Sequence, residues 1–381
     1  MSNETQKENE KGPFFYSNWA KYNIKETNEE AAEYELYSDV YLAGQLNEGL
    51  GPYQILNTLT YLPDGIVRPS AILRFEFCQK YEMPQMEKTD VKKYHGGNHA
   101  EELAALVSMF GGFRLRAGPQ TRIFEKGGDP RGTPYRTEGP QVPIKARRDG
   151  KQPNVPNATG NHNINCADPL KDTMFLNHKE AAAFLKAARS YQEGLWLTEL
   201  EPEKAWLFFV SAVETLAGYW RAGKETNVER LRLFKPKLEK LLVEKGGGKF
   251  VEEVADLIAP YMGATKTFID FLIKHLPPAP KERPVEWGQV DWGCESMTKA
   301  LKKIYDWRSR ALHGGTPFPA PMCEQPPIPE GKYAEKPIYS AASSNFGTWV
   351  KDDLPMTLNT FEYIVRNALR NWFIEQTKST K

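Results

Sequence analysis

The sequence predicts a mainly α protein in two parts: a C-terminal antiparallel bundle of four or more helices, preceded by a smaller mixed α/β region. Three observations predict it. From residue 177 onward apolar residues recur every three or four positions, the period of an amphipathic helix. Residues 53–77 and 113–124 instead mix β-branched and aromatic side chains with alternation, which reads as strand. Residues 126–172 are rich in Gly, Pro and Asn and show little periodicity, so they read as a linker or long loop holding a domain boundary. The expected division is a disordered tail over 1–12, a mixed α/β region over 13–165 and a helical domain over 175–377.

The elements follow in order. Residues 1–12 are polar and charged, the composition of an unfolded tail. Residues 25–40 are acidic, which reads as a solvated face or as a surface that meets a basic patch elsewhere. Asn98, with Glu101 three positions on, makes a capping box for a short helix that Gly111-Gly112 ends. Phe113 to Arg116 reads as a strand, Ala117-Gly118-Pro119 as a turn and Thr121 to Phe124 as a second strand. Asn177 with Glu180 opens another helix, running to Leu200, and Pro202 stands where a first helical residue would. The helix over 203–221 is the most apolar, and between Ala205 and Trp220 its only charge is Glu214. A carboxylate on a buried helix needs a partner or a proton. A basic helix over 228–245 is interrupted at Pro236 and ended by Gly246-Gly247-Gly248; another helix follows over 249–275. Residues 277–293 form a loop rich in Pro and Trp. A helix over 296–313 stops at Gly314-Gly315. An irregular stretch from Thr316 to Gly347 leads to a last helix at about 357–376.

Composition narrows the function. The chain has 381 residues, enough for a sizeable core, and a net charge of +1, so it has no global basic footprint. Nucleic-acid contact would have to come from local patches. One lies between 114 and 148, where nine Lys and Arg face three acids. Arg114, Arg116 and Arg122 could line one strand face there and contact RNA phosphates; a solvated hairpin is the plain alternative. Cys78, Cys166, Cys294 and Cys323 are far apart and give neither a zinc pattern nor a disulfide framework. His95 and His99 have no further ligands nearby and read as structural. No metal and no cofactor is expected. No apolar run reaches membrane-spanning length and no signal-peptide pattern is present, so no membrane partner and a cytoplasmic location are expected.

The chemistry-bearing stretch is Arg308-Ser309-Arg310-Ala311-Leu312-His313-Gly314. Arg308 and His313 are five positions apart, about 140° around an ideal helix. The long arginine side chain and the unwinding helix end can still bring both to one phosphate. An arginine fork holds phosphate with two hydrogen bonds, and a histidine can take or give a proton at a ribose 2′-hydroxyl. Basic residues are also common in the last turn of any helix, so the stretch alone does not decide the matter. The nearest economical partner for Glu214 is Arg308, which it would orient. A structural ion pair or a half-exposed carboxylate remains open beside that.

The stretch resembles the motif of the HEPN ribonuclease superfamily, and of its Apea-like branch in particular: arginine, a polar residue, a few more positions, then histidine and glycine at a helix end. Trp206 to Leu216 resembles the apolar helix of the same branch, and Phe361 to Leu369 resembles its last helix. The matches span roughly residues 175–377. What the resemblance implies is a metal-independent endoribonuclease with toxin-like or antiviral work. It implies a homodimer in which two Arg–His pairs face one cleft, RNA as substrate, and an antitoxin or regulatory partner. In that reading Arg308 and His313 are catalytic and Ser309 and Glu214 support them. The rival expectation is a HEPN module that binds RNA, a nucleotide or a protein partner without cutting.

Overall fold

The computed structural model describes residues 12–25, 30–58, 66–78, 87–89, 95–134, 152–338, 341–344 and 346–380. The expected tail, apart from Gly12, lies outside these residues, as do Arg136, Lys145, Arg147 and Arg148 of the basic segment.

The protein is mainly α, with one small antiparallel sheet near its N-terminal end. Helix α1 (Phe14–Asn23) precedes β1 (Glu30–Ser38), β2 (Tyr41–Ala43), β3 (Tyr53–Asn57) and β4 (Arg68–Glu76). Helix α2 (His99–Gly111) follows, then β5 (Arg116–Glu125) and β6 (Thr133–Pro134). The five-stranded sheet has the order β3-β4-β1-β5-β6, and each neighbouring pair is antiparallel. Short β7 (Asn161–Asn163) pairs in parallel with β2.

The capping signals act where expected. Asn98 and Glu101 form a capping box on α2, and Gly112 closes it at φ 71°. Pro119 does not make a turn, however; β5 runs straight through Ala117-Gly118-Pro119. The pairing of β1 with β5 slips at Glu33/Tyr34 and again between Tyr34 and Leu36, and such irregularity spares a proline the amide it lacks.

The stretch expected to be a linker is, over 152–175, part of the core. It forms a 3-10 turn at Pro156–Ala158 and a longer one at Ile164–Phe175. Val155, Ala158, Ile164, Ala167 and Leu170 are buried there. One apolar cluster takes in Phe15, Leu73 and Phe110 from the first half, these residues, and Phe184, Trp206, Leu301 and Phe373 from the second. The core is therefore continuous across the expected boundary.

The helical half begins with α3 (His178–Leu197), opened by the Asn177–Glu180 capping box, and α4 (Pro202–Arg221), with Pro202 in its first turn. Next come α5 (Asn227–Phe234) and α6 (Pro236–Ile258). The glycine triplet kinks α6 at Gly247 (φ 71°) instead of ending it, so the helix expected over 249–275 is divided. Its second half is α7 (Ala264–Lys274), set off by left-handed Gly263. Helices α5 and α6 have a small apolar cluster of their own around Leu231, Val251 and Ala255. Helix α8 (Cys294–Gly314), hairpin β8 (Ala341–Ser344) and β9 (Gly347–Val350), and α9 (Leu358–Thr380) complete the chain.

Buried charge ties the first half together. Glu102 is fully buried on α2 and accepts from the Phe15 amide at 2.8 Å, which anchors the start of α1. Burial pushes its carboxyl up to about 8. Between about pH 4.5 and 8 the folded chain then holds a proton that the unfolded chain has lost, so this group's contribution falls as pH rises. Glu102→Gln is expected to gain about 3 kcal/mol over wild type between pH 5.5 and 8, at up to ~1.4 kcal/mol per pH unit. Urea unfolding of both proteins at the two pH values checks it; a constant gap would remove Glu102 as the titrating group.

Candidate functional site

The site is built on the last three turns of α8. Met297, Leu301, Ile304, Tyr305 and Trp307 are its buried residues, and they seat it in the main core. Trp307 Nε1 donates to the Asp353 carbonyl at 3.0 Å and Lys303 Nζ pairs with Asp353 at 2.8 Å, so the turn before α9 holds the helix from one side. Gly315 takes φ 63° and its amide returns to the Arg310 carbonyl, the left-handed end the two glycines announce.

Arg308 and Glu214 meet, as the sequence suggested. Arg308 Nη2 donates to Glu214 Oε2 at 2.8 Å, and the two side chains are 20% and 22% exposed. The third member was not foreseen: the Tyr305 hydroxyl donates to Glu214 Oε1 at 2.7 Å. Burial and the adjacent carboxylate both raise the Tyr305 hydroxyl above its usual pKa, so it stays a donor. The Arg308 guanidinium carbon lies 5.4 Å from the centre of the Tyr305 ring. A tyrosine one turn before an arginine on a helix is the signal that could have found it, because positions three apart share a face. Glu214 thus uses both oxygens to hold one helix, and Arg308 keeps its remaining N–H groups at a partly exposed position.

His313 is exposed in the last turn, together with Leu312 and residues 314–317. Among the described residues it makes no hydrogen bond or ion pair. Ser309 is half-buried. The segment after the site is anchored at once. Phe318 stacks on Trp206 with centroids 5.2 Å apart, Phe361 stacks on the same indole at 4.8 Å, and Trp206 Nε1 donates to the Met322 carbonyl at 3.2 Å. The stretch expected to be irregular therefore starts as a packed strap and ends in a hairpin. Trp206→Phe keeps the stack and removes the donor. It is expected to cost about 1–3 kcal/mol, the penalty for a buried carbonyl left unpaired, read as a lowered urea midpoint at unchanged slope.

The three arginines assigned to RNA do not form a basic face. Arg114 is wholly buried, lies before β5 begins, and is spent on Asp39, so its assignment to phosphate contact is overturned. Arg116 donates to Glu193 at 2.6 Å and its guanidinium lies over Trp196. Arg122 donates to the Arg131 and Gly132 carbonyls and sits 3.8 Å from Glu33. Only Arg122 is as much as 41% exposed. Internal partners hold all three, because the strand packs against acidic β1 and the helical half.

His99 is half-buried, its ring against Phe75 and Phe14, and desolvation alone brings its imidazole down to about 4. His95 is lowered in the same way, with Lys186 adding to it. Among the described residues no group of three or more His, Cys, Asp or Glu is arranged to hold a metal ion, and no helix is long and apolar enough to cross a membrane. A scan against protein-family models finds no match, and neither a curated protein nor a solved structure matches the chain.

Proposed function

We propose that the chain is a metal-independent endoribonuclease of the HEPN type, with Arg308 and His313 as its catalytic residues. The observation that carries this reading is the state of the two side chains at the end of α8. Arg308 is oriented by Glu214 and Tyr305 yet partly exposed, and His313 is free in the next turn. One is an aimed phosphate-binding fork and the other an unengaged proton carrier.

In the proposed reaction the ribose 2′-oxygen attacks the adjacent phosphorus. The O2′–P bond forms as the P–O5′ bond breaks, giving a 2′,3′-cyclic phosphate and a 5′-hydroxyl. His313 serves as the general base at the 2′-hydroxyl or the general acid at the leaving 5′-oxygen. Two chains related by a two-fold axis would supply both roles, one from each copy. Arg308 holds the phosphate and offsets the charge that builds on its non-bridging oxygens. Glu214 and Tyr305 limit the positions Arg308 can take, which is where orientation contributes to rate. Ser309, in the polar position after Arg308, would hydrogen-bond the phosphate or His313 in this reading. The biological setting that accompanies this reading is defence or toxin-like restraint of growth, with a partner holding the activity in check.

A binding-only module is the second reading. Its support is that Glu214 already offsets the charge of Arg308. Cleavage of labelled tRNA and mRNA by purified protein in EDTA separates the two. Cutting by wild type that both Arg308→Ala and His313→Ala lose supports the nuclease. Equal cutting by all three rejects the assignment, and binding without cutting favours the module.

A further inference from the structure

A second feature adjoins Glu214. A cavity of about 340 Å³ opens where α4, α5 and α7 meet, lined by Glu214, Arg221, Arg230, Tyr261, Met262 and Phe268 among others. That volume lies at the small end of ligand sites. Two of its residues are not explained by folding. Tyr261 is 88% exposed, although it is a large aromatic side chain held on a short turn between α6 and α7. Arg230 has no acidic partner among the described residues. Its Nη2 donates to the Met262 carbonyl at 3.2 Å and its Nε has no acceptor. Arg221 differs, since Glu225 and Asp270 both pair with it and fix it as a wall of the cavity.

We infer that this cavity is a nucleotide-binding subsite, in which Tyr261 stacks on the base and Arg230 binds the acceptor oxygens or ring nitrogens. An aromatic face beside an arginine is the chemistry that takes a base without needing a fixed sequence. An arginine whose Nε is buried without an acceptor, and whose Nη2 holds only a backbone carbonyl, keeps donor capacity that acceptors on a phosphate or a purine can take. The apolar remainder, with Met262 and Phe268, suits a planar ring. Glu214 belongs both to the cavity and to the Arg308 cluster, so a base seated here would belong to a nucleotide close to the phosphate that Arg308 holds. In its RNA form the inference rests on the proposed function; in its free-nucleotide form it does not.

The test is equilibrium binding of the four ribonucleoside monophosphates, by calorimetry, with inorganic phosphate as the control. The expected result is saturable binding of at least one nucleotide and none of phosphate alone. Tyr261→Ala and Arg230→Gln should each weaken it about tenfold, within the range for losing a base–aromatic stack. Tyr261 is exposed, so its alanine variant keeps the fold even if the Arg230 variant loosens the α5–α7 junction. Displacement of the bound nucleotide by a short single-stranded RNA assigns the site to the RNA chain, and its failure assigns it to a free nucleotide; both support the subsite. No saturable binding, or binding that neither substitution weakens, overturns it. Because no cleavage is read, loss of the nuclease reading in the EDTA assay leaves this result standing, and the reverse also holds.

Discussion

Replacing Arg114 by alanine is expected to destabilise the protein by about 3–5 kcal/mol, the cost of removing one partner from a buried ion pair. The side chain is completely buried and its guanidinium is fully engaged. Nε lies 3.1 Å from both Asp39 oxygens, Nη2 lies 2.9 Å from Asp39 Oδ2, and Nη1 donates to Thr198 Oγ1 at 3.1 Å. Glu199 is 3.6 Å away on the same side. Asp39 ends the β1 region, and Thr198 and Glu199 follow α3, so one cation joins the sheet to the helical half. Alanine would leave two carboxylates buried near each other without the guanidinium that offsets their charge. The desolvation that normally opposes a charge is here outweighed by Asp39, which raises the Arg114 pKa further. Urea or thermal unfolding followed by circular dichroism measures the effect. Asp39→Asn beside it should cost less, because an amide still accepts from the guanidinium. A loss below about 1 kcal/mol for Arg114→Ala, in the range of surface pairs, would show that the network does not hold the two halves together.

On the proposed nuclease reading, His313→Ala is expected to lower RNA cleavage about 10²–10⁴-fold, the usual contribution of a positioned acid or base. Arg308→Ala should lower it about 10²–10³-fold, as for the loss of one donor to a developing oxyanion. The two variants should differ in stability. His313 is exposed and contacts no described partner, so its removal should change unfolding by no more than about 0.5 kcal/mol. Arg308→Ala takes one of the two donors from Glu214 and leaves the Tyr305 hydroxyl. An inactive His313 variant that unfolds like wild type would tie the loss to chemistry. If His313→Ala cuts at the wild-type rate, the end of α8 is not the reactive centre.

The candidate site was more legible than the packing around it. Its parts are local: a helix period, an arginine and a histidine five positions apart, and two glycines that end the helix. Glu214 was also marked, because one charge on an apolar helix must be satisfied. Tyr305 went unmarked, since its ring reads simply as core while its hydroxyl reaches Glu214, 91 residues away in sequence. Glu102 was missed for the same kind of reason. In a short amphipathic helix it reads as the polar side, yet it is buried to cap α1, 87 residues earlier.

The features legible in the sequence are therefore those that neighbours in the chain decide. The capping boxes at Asn98 and Asn177, the proline start of α4, and the left-handed glycines at 112 and 315 all act within one helical turn. Tertiary structure alone decided what distant segments do to each other. It turned Arg114 from a surface cation into a buried tie to Asp39, 75 residues away. It drew residues 152–175 into the core and carried β5 through a proline that reads locally as a turn. The physical reason is that an arginine, a glutamate or a proline has the same local preferences wherever it stands. Its burial depends on which long-range partner offsets the cost of leaving water, and that partner is chosen only when the chain packs.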